Sequence, residues 1–392
     1  GLGSTSRKYD VTPDLSSASS GESMVRGDIL DLAVNLRSSR PGDKIDIPYE
    51  LTVSDSMQGF WHSVFHAQNR INTSRPFARK VGLQDRVLPF SLALFLTSSM
   101  THADAAKVQV GFGNAVYHWP AFAGDTFTKS FKVRSIRNTS DGHHSIFHFE
   151  CELINQRGRV CMSADKYLIF EFTVPESHVE LPADSATKGQ MFRDHLISKS
   201  DSLHDLGSHS LTTLFPGQLV LHTMNRSITF SQSQQLASLA RLTHPRHFDT
   251  RRYDIHTEIF IPGGLVLGLT MSAASRDMHE ILHEEILNAS FVHHLHPGNV
   301  VGAISYVQSL DDGLPGDLES IVVRTIGVKN MDVSRDLKDT PLPLELFTGD
   351  AKTTQQIEKI CKERCPMLAN KIVLQLDRRI LRQASRNETF LL

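Results

Sequence analysis

The stretch IPGGLVLGL at residues 261–269 decides the fold, together with its counterpart LPFSLALFL at residues 88–96. Both carry a proline where a helix can begin, and both continue with apolar residues on every side. A helix that is apolar all round has to be enclosed by other elements of a core. The sequence therefore predicts one buried helix in each half of the 392-residue chain.

The segments that precede these two helices recur in the same order. Residues 45–51 and residues 218–228 have the pattern of extended segments. Each is followed by a helix, with Ser54 or Asp55 as the predicted cap in the first half and Ser231 in the second. The recurrence indicates an internal repeat.

Strands are predicted after each buried helix. Apolar and polar side chains alternate in residues 146–153 and again in residues 301–307. The tetrapeptide NQRG at residues 155–158 has the composition of a hairpin turn. Each half is therefore expected to be an α+β domain whose antiparallel sheet wraps its helix, and the two halves are expected to pack as a pseudo-dimer.

Composition divides the chain into five parts. Residues 1–40 are rich in Ser and Gly and are predicted to be a flexible tail. The two repeats occupy residues 41–176 and 210–345, with a linker at 177–209. Residues 346–392 carry more basic than acidic side chains and are predicted to form a basic helical extension. Its apolar residues at helical spacing are Leu368, Ile372, Val373, Leu376, Ile380 and Leu381.

Charge and composition exclude several classes of protein. Lys and Arg number 41 against 43 Asp and Glu, so no overall field draws the chain to nucleic acid or to an anionic membrane. No apolar run approaches the roughly 20 residues of a membrane-spanning helix. The four cysteines are too few for a disulfide scaffold, and the 20 histidines show no metal-ligand spacing. We therefore expect a globular protein without a membrane span or a metal site.

The start of the sequence has two interpretations. Gly1 precedes a Ser-rich segment with Arg7 and Lys8, as in a processed organellar protein or in a trimmed chain. The low cysteine content fits a reducing compartment. The mitochondrial matrix is the expected location, and the cytoplasm is the alternative.

Five short motifs resemble the MaoC-like acyl-CoA hydratases, and among them the mesaconyl-CoA hydratases. They are PFARKVG at 76–82, PAFAGDT at 120–126, NQRG at 155–158, PGG at 262–264 and RTIGVKN at 324–330. The resemblance extends from about residue 45 to 345 and implies two tandem hotdog folds, in which an antiparallel sheet wraps a central helix. It also implies a hydro-lyase that adds water to an α,β-unsaturated acyl-CoA, with no cofactor beyond the CoA thioester of the substrate.

Such a reaction has two chemical requirements. Attack of water at the β-carbon needs a general base, and the negative charge that develops on the thioester oxygen needs hydrogen-bond donors. The N-terminus of the second buried helix supplies donors, because its first N–H groups are free and Gly263 and Gly264 allow close approach. Phe90 and Ser91 in the first half would crowd a thioester. We therefore expect a single active site in the second half.

The resemblance assigns the base to the segment THPRHFD at residues 243–249. His247 matches the catalytic histidine of the family, and Asp249 is expected to orient or support its loop. Leu242 stands where relatives place an Asp or an Asn. His244 or Thr243 is a candidate to replace that polar group, although His244 could equally be a histidine favoured by the C-terminal end of a helix.

The same residues also have simpler interpretations. Arg246, Arg251 and Arg252 are candidates to bind the phosphates of CoA, but arginines are more often a solvated face. Gly263 and Gly264 could serve only the close packing of the helix on the sheet.

Two other classes of function stay open. A degenerate catalytic motif with a basic extension is what a hotdog protein would show as a structural subunit of an organellar nucleoprotein complex such as the mitoribosome, with a protein or RNA partner at the extension. A carrier that binds acyl-CoA without reacting would keep Gly263 and Gly264 but would not need His247. Under any of these interpretations the backs of the sheets could pair in a homo-oligomer.

Overall fold

The computed structural model describes residues 36–47, 49–100, 106–176 and 188–385. The predicted flexible tail lies outside this range as far as residue 35, and so do residues 177–187 of the predicted linker and the last seven residues of the predicted extension. Within the described part of the chain, no helix is long and apolar enough to cross a membrane.

The first half places its long strands after the predicted buried helix. Ser54 caps α1, as expected, by accepting a hydrogen bond from the backbone N–H of Met57. The elements are β1 (Lys44–Asp46), β2 (Leu51–Thr52), α1 (Asp55–Val64), α2 (Arg70–Thr73), α3 (Arg75–Lys80), the buried helix α4 (Phe90–Ser98), β3 (Ala106–Tyr117), β4 (Thr126–Asn138), β5 (Ser145–Asn155) and β6 (Val160–Phe170).

The second half repeats this order. The cap of its first helix is Thr229 rather than the predicted Ser231, because the Thr229 hydroxyl and Gln232 form a reciprocal capping box. Two helices, α5 (Met191–Ser198) and α6 (Ser200–Leu206), occupy the described part of the linker. The elements that follow are β7 (Leu219–Leu221), β8 (Arg226–Ser227), α7 (Phe230–Leu239), the buried helix α8 (Gly263–Ala274), β9 (Ile281–Phe291), β10 (Val300–Asp311), β11 (Leu318–Lys329), α9 (Val333–Asp336), α10 (Glu345–Thr348), α11 (Thr354–Arg364) and β12 (Ile372–Gln383).

All long strands join one antiparallel sheet. Its order is β1-β4-β5-β6-β3-β9-β12-β11-β10-β7, so the pairing of β3 with β9 connects the two halves. Helix α4 packs on β5 and β6, helix α8 packs on β10, β11 and β12, and the two helices contact each other. This arrangement confirms the predicted tandem hotdog folds.

The predicted helical extension is right for α11 and wrong for β12. Residues 372–383 form a strand that pairs with β11 on one side and with β9 on the other. The prediction failed because this strand is buried on both faces, so its apolar residues do not alternate and their spacing also fits a helix. The segment is therefore an interior strand in the second half of the sheet.

Three arginines of β12 form ion pairs with glutamates of the neighbouring strands. Arg378 pairs with Glu284 at 2.8 Å, and Arg382 pairs with Glu319 at 2.7 Å. Both arginine side chains are almost completely buried. The Arg379 guanidinium also contacts a carboxylate, that of Glu285. Arg378 and Arg382 therefore lie inside the sheet and do not contribute to a basic surface, whereas the Arg379 side chain is 43% exposed.

Candidate active site

A cavity of about 640 Å³ lies where the two halves meet. Its walls come from β3, β6 and β9, from the N-terminus of α8, and from the loop that follows α7. Among the predicted site residues, His244, Arg246, His247, Gly263 and Gly264 line it. The structure therefore places His247, the residue predicted to be the base, and the N-terminus of α8 at the same cavity.

His247 is held by the backbone of the loop. It ends a short 3-10 turn, Pro245–His247, and its Nδ1 donates a hydrogen bond to the carbonyl oxygen of Phe260 at 2.8 Å. Because a carbonyl can only accept, Nδ1 carries the proton and Nε2 keeps a lone pair. The ring therefore has the tautomer that a general base needs.

Burial is the main reason that the pKa of His247 is lowered to about 4. The hydrogen bond to Phe260 works in the opposite direction, while the nearby His244, Lys166 and Arg246 lower the pKa further. This pKa lies below the value of about 6.5 of an unperturbed histidine, and neither the burial nor the proximity of Lys166 can be recognised from the local sequence. At neutral pH the imidazole is uncharged and can accept a proton.

His244 does not replace the missing polar group. Its Nδ1 accepts a hydrogen bond from the backbone N–H of Arg246 at 3.1 Å, and its Nε2 donates to the carbonyl oxygen of Ala106 at 2.7 Å. Both ring nitrogens are thus engaged in capping the turn and tying it to β3. Leu242 lines the cavity as an apolar wall.

The start of α8 is shaped for close contact. A Cβ atom on Gly263 would lie 2.9 Å from Oε1 of Gln109 and 2.9 Å from Cζ of Phe291. A Cβ on Gly264 would lie 2.5 Å from Cδ2 of Phe95 in α4. Gly264 therefore permits the packing of the two central helices, and as the first residues of α8 both glycines have N–H groups that the helix itself cannot use. The packing role and the donor role coexist.

The corresponding site in the first half is filled. Trp61 packs against Phe65 with ring centroids 4.2 Å apart and donates a hydrogen bond from Nε1 to Ser91 Oγ at 3.2 Å. The space that is left beside Phe90 and Ser91 is about 50 Å³, which is too small for a thioester. This difference agrees with the expectation of a single active site in the second half.

Asp249, Arg251 and Arg252 lie outside the cavity. The Asp249 carboxylate accepts hydrogen bonds from Arg251 at 2.9 and 3.0 Å, and this contact lowers the pKa of Asp249. The backbone N–H of Asp249 bonds to the Pro245 carbonyl, so this residue supports the loop without touching His247. Arg251 is 88% exposed, as a solvated arginine would be.

Arg246 is the one predicted phosphate contact that reaches the cavity. Its Nε donates to the carbonyl oxygen of Glu258 at 2.9 Å, and its guanidinium lies 4.1 Å from the centroid of the Phe260 ring. The same ring stacks on His294 at 3.7 Å. Arg246 is therefore held rigidly at the cavity wall, with part of its hydrogen-bonding capacity already used.

Two polar residues of the first half were missed by sequence reasoning. Gln109 and Lys166 line the cavity, and the Nε2 atom of Gln109 is buried without a hydrogen-bond partner in the described part of the chain. The alternation of residues in β6 could have revealed Lys166, because this lysine shares a face of the strand with the apolar Ala164 and Leu168. A lysine on the inner face of a strand is uncommon unless it has a role.

The fold is that of a double hotdog protein, and it is similar to the fold of MaoC-like dehydratases. A MaoC-domain dehydratase from Chloroflexus aurantiacus has the same architecture, with a TM-score of 0.68 and 17% identity, covering 92% of this chain and all of that one. A protein of Mycobacterium tuberculosis described as a double hotdog fold has a TM-score of 0.63 and 13% identity, with 90% and 99% covered.

Curated sequence relatives agree with this class. The mesaconyl-CoA hydratase of Cereibacter sphaeroides is 23% identical over 310 residues, which cover 74% of this chain and 88% of the relative. The β-methylmalyl-CoA dehydratase of Chloroflexus aurantiacus is 21% identical over 296 residues, covering 71% and 83%. No protein-family model matches the sequence. The resemblance inferred from the short motifs is confirmed.

Proposed function

We propose that this protein is a hydratase or dehydratase that adds water reversibly to a CoA-linked enoyl group. The observation that carries the proposal is the His247 imidazole, fixed by Phe260 in the base tautomer and lining the same cavity as the free N-terminus of α8. The relatives described above are a hydratase and a dehydratase of CoA esters, which supports the same class of reaction.

The chemistry follows from these two features. Nε2 of His247 takes a proton from water while the water oxygen bonds to the β-carbon of the enoyl group. The electron pair of the double bond moves towards the thioester, and the N–H groups of Gly263 and Gly264 stabilise the negative charge on its oxygen. The imidazolium then returns its proton to the α-carbon. Dehydration is the same sequence in reverse.

A short branched or dicarboxylic enoyl-CoA is the proposed substrate. The relatives are named for mesaconyl-CoA and β-methylmalyl-CoA, and a cavity of about 640 Å³ is large enough for such a group together with part of the pantetheine arm. Lys107, Arg246 and Lys352 also line the cavity and supply positive charge for the phosphates of CoA.

The test is hydration of mesaconyl-CoA and crotonyl-CoA by the purified protein, followed as loss of the enoyl-thioester absorbance. His247→Ala should abolish turnover, because this variant removes the group that takes the proton from water in the proposed mechanism. His256→Ala is the matched control, since His256 is an exposed histidine in the same region of the chain that does not line the cavity. Full activity in His247→Ala would contradict the assignment of the base.

Absence of turnover with both substrates would favour the structural-subunit alternative. That alternative drew its support from the basic extension. Since Arg378, Arg379 and Arg382 are paired with glutamates, β12 contributes little to the charge available for a nucleic acid, and that charge is left to exposed side chains such as Lys359, Lys362 and Arg364. The enzyme is therefore the function that we favour.

A further inference from the structure

Lys166 of β6 is a buried cation in the wall of the cavity. Lys166 is only 6% exposed, and its Nζ donates a hydrogen bond to the carbonyl oxygen of Ser98 at 2.6 Å. Ser98 is the last residue of α4, where the helix dipole favours a positive charge. The lysine therefore caps α4 from inside the cavity.

Lys129 of β4 makes a similar contact in a different place. Its Nζ donates to the carbonyl oxygens of Ser99 at 3.0 Å and Ala240 at 3.3 Å. Lys129 is buried as well, but it does not line the cavity. The two lysines thus share the helix-capping role, and only Lys166 can also meet a ligand.

Lys166 has no counter-anion within the described residues. The acids near it on the sheet are engaged elsewhere: Asp165 contacts His148 at 3.1 Å, and Glu150 contacts Arg134 and Lys188. Burial lowers the pKa of Lys166 to about 8, which leaves the ammonium charged at neutral pH. A buried cation with a carbonyl as its partner is less stabilised than one with a carboxylate.

The position that corresponds to Lys166 in the second half of the sheet has the carboxylate partner that Lys166 lacks among the described residues. Strand β12 lies beside β9 in the second half of the sheet as β6 lies beside β3 in the first half, and the buried Arg378 of β12 pairs with Glu284 at 2.8 Å. There the cation has an internal anion and the site is filled. Beside Lys166 the site is an open cavity, so an anion can come from a ligand.

We propose that Lys166 binds the free carboxylate of a dicarboxylic acyl group, and so selects the substrate. This inference rests on the proposed function, since it places the carboxylate in the cavity that holds the thioester. Lys166 and His247 line the same cavity, so one acyl chain can contact both residues. A monocarboxylic acyl chain would bury the ammonium without an ion-pair partner, at a cost in affinity.

The test compares two ligands with one carbon skeleton. 2-Methylfumaryl-CoA carries a carboxylate where 2-methylbut-2-enoyl-CoA carries a methyl group. Their dissociation constants are measured by calorimetry for the wild-type protein, for Lys166→Met and for the matched control Lys129→Met. We expect the wild type to prefer the dicarboxylic ligand by about tenfold or more, corresponding to about 1.4 kcal/mol.

The preference should disappear in Lys166→Met and persist in Lys129→Met. Both variants remove a helix cap, so only the ratio of affinities separates ligand binding from a structural role. An unchanged ratio in Lys166→Met, or no preference in the wild type, would overturn the inference. The wild-type comparison needs no variant, so a failure of Lys166→Met to fold does not remove the test.

The outcomes separate this inference from the proposed function. Selective binding without turnover would support the role of Lys166 and contradict the hydratase. Turnover with equal affinity for both ligands would support the hydratase and contradict the role of Lys166.

Discussion

Nδ1 of His247 donates to the carbonyl oxygen of Phe260 at 2.8 Å, and this single contact determines which nitrogen can act on water. Burial of the ring lowers its pKa to about 4. Since the base must be unprotonated, kcat/KM should fall on the acid side with an apparent pKa near 4 rather than near 6.5. A pH–rate profile of the wild type, with His256→Ala as control, checks this. A midpoint near 6.5 would contradict the burial of the base.

Stability should also depend on the buried histidines. The pKa values of His247 and His283 are lowered by burial from 6.5 to about 4. The unfolded chain therefore binds more protons between these values, so stability is fully present above pH 6.5 and falls as the pH drops towards 4. Thermal denaturation should give a lower Tm at pH 5 than at pH 7.

His283→Gln offers a direct check of that dependence. The Nε2 atom of His283 donates to the carbonyl oxygen of Tyr117 at 2.9 Å, and a glutamine amide can make a similar bond without titrating. The difference in Tm between pH 7 and pH 5 should be smaller in this variant than in the wild type. An equal difference would mean that other groups control the acid sensitivity.

Replacement of Gly263 and of Gly264 by alanine should have different effects on activity and on stability. In Gly264→Ala the new methyl group meets the Phe95 ring, so the free energy of unfolding should fall by about 1–3 kcal/mol in urea denaturation. In Gly263→Ala the methyl group meets the ends of the Gln109 and Phe291 side chains, so activity should fall more than stability. Equal losses of stability in both variants would contradict this separation.

Gln109 should contribute to catalysis from the opposite half of the chain. Its Nε2 is buried with no partner in the described part of the structure, and its Oε1 lies 2.9 Å from where a Gly263 Cβ would be. Gln109 lines the same cavity as Leu242 and His247, so we expect its amide to supply a polar group there. Gln109→Leu should lower kcat by about 100-fold without loss of stability, because no internal hydrogen bond is broken. Steady-state kinetics and urea denaturation of this variant measure both effects.

The sequence predicted those features that depend on local pattern. The apolar stretches became α4 and α8, and the turn at residues 155–158 joins β5 to β6. Strand β12 was mistaken for a helix because both of its faces are buried, so no alternation marks it. A pattern within one segment reports the exposure of its faces and not the identity of its neighbours.

The same limit of local sequence patterns explains which residues of the candidate site were predicted and which were missed. His247, Gly263 and Gly264 were found because they lie within one half of the chain and match short motifs. Lys166 and Gln109 reach the cavity only through the pairing of β3 with β6 and β9, which brings together strands distant in sequence. Asp249 is two residues from His247 in the sequence, yet its carboxylate forms an ion pair with Arg251. The direction of a side chain in a loop is not fixed by a periodic backbone, so the sequence did not reveal this pairing.

The position of β12 has a consequence for the order in which the protein is assembled. Among the strands that the structure describes, this one comes last in chain order, yet it fills the gap between β9 and β11. A nascent chain that has not yet exposed residues 372–383 to solvent holds two unpaired strand edges in its second half, and such edges invite pairing with other chains. The second domain therefore stays incomplete until residues 372–383 are synthesised, and a premature stop before Ile372 would yield an aggregation-prone fragment rather than a shortened folded protein.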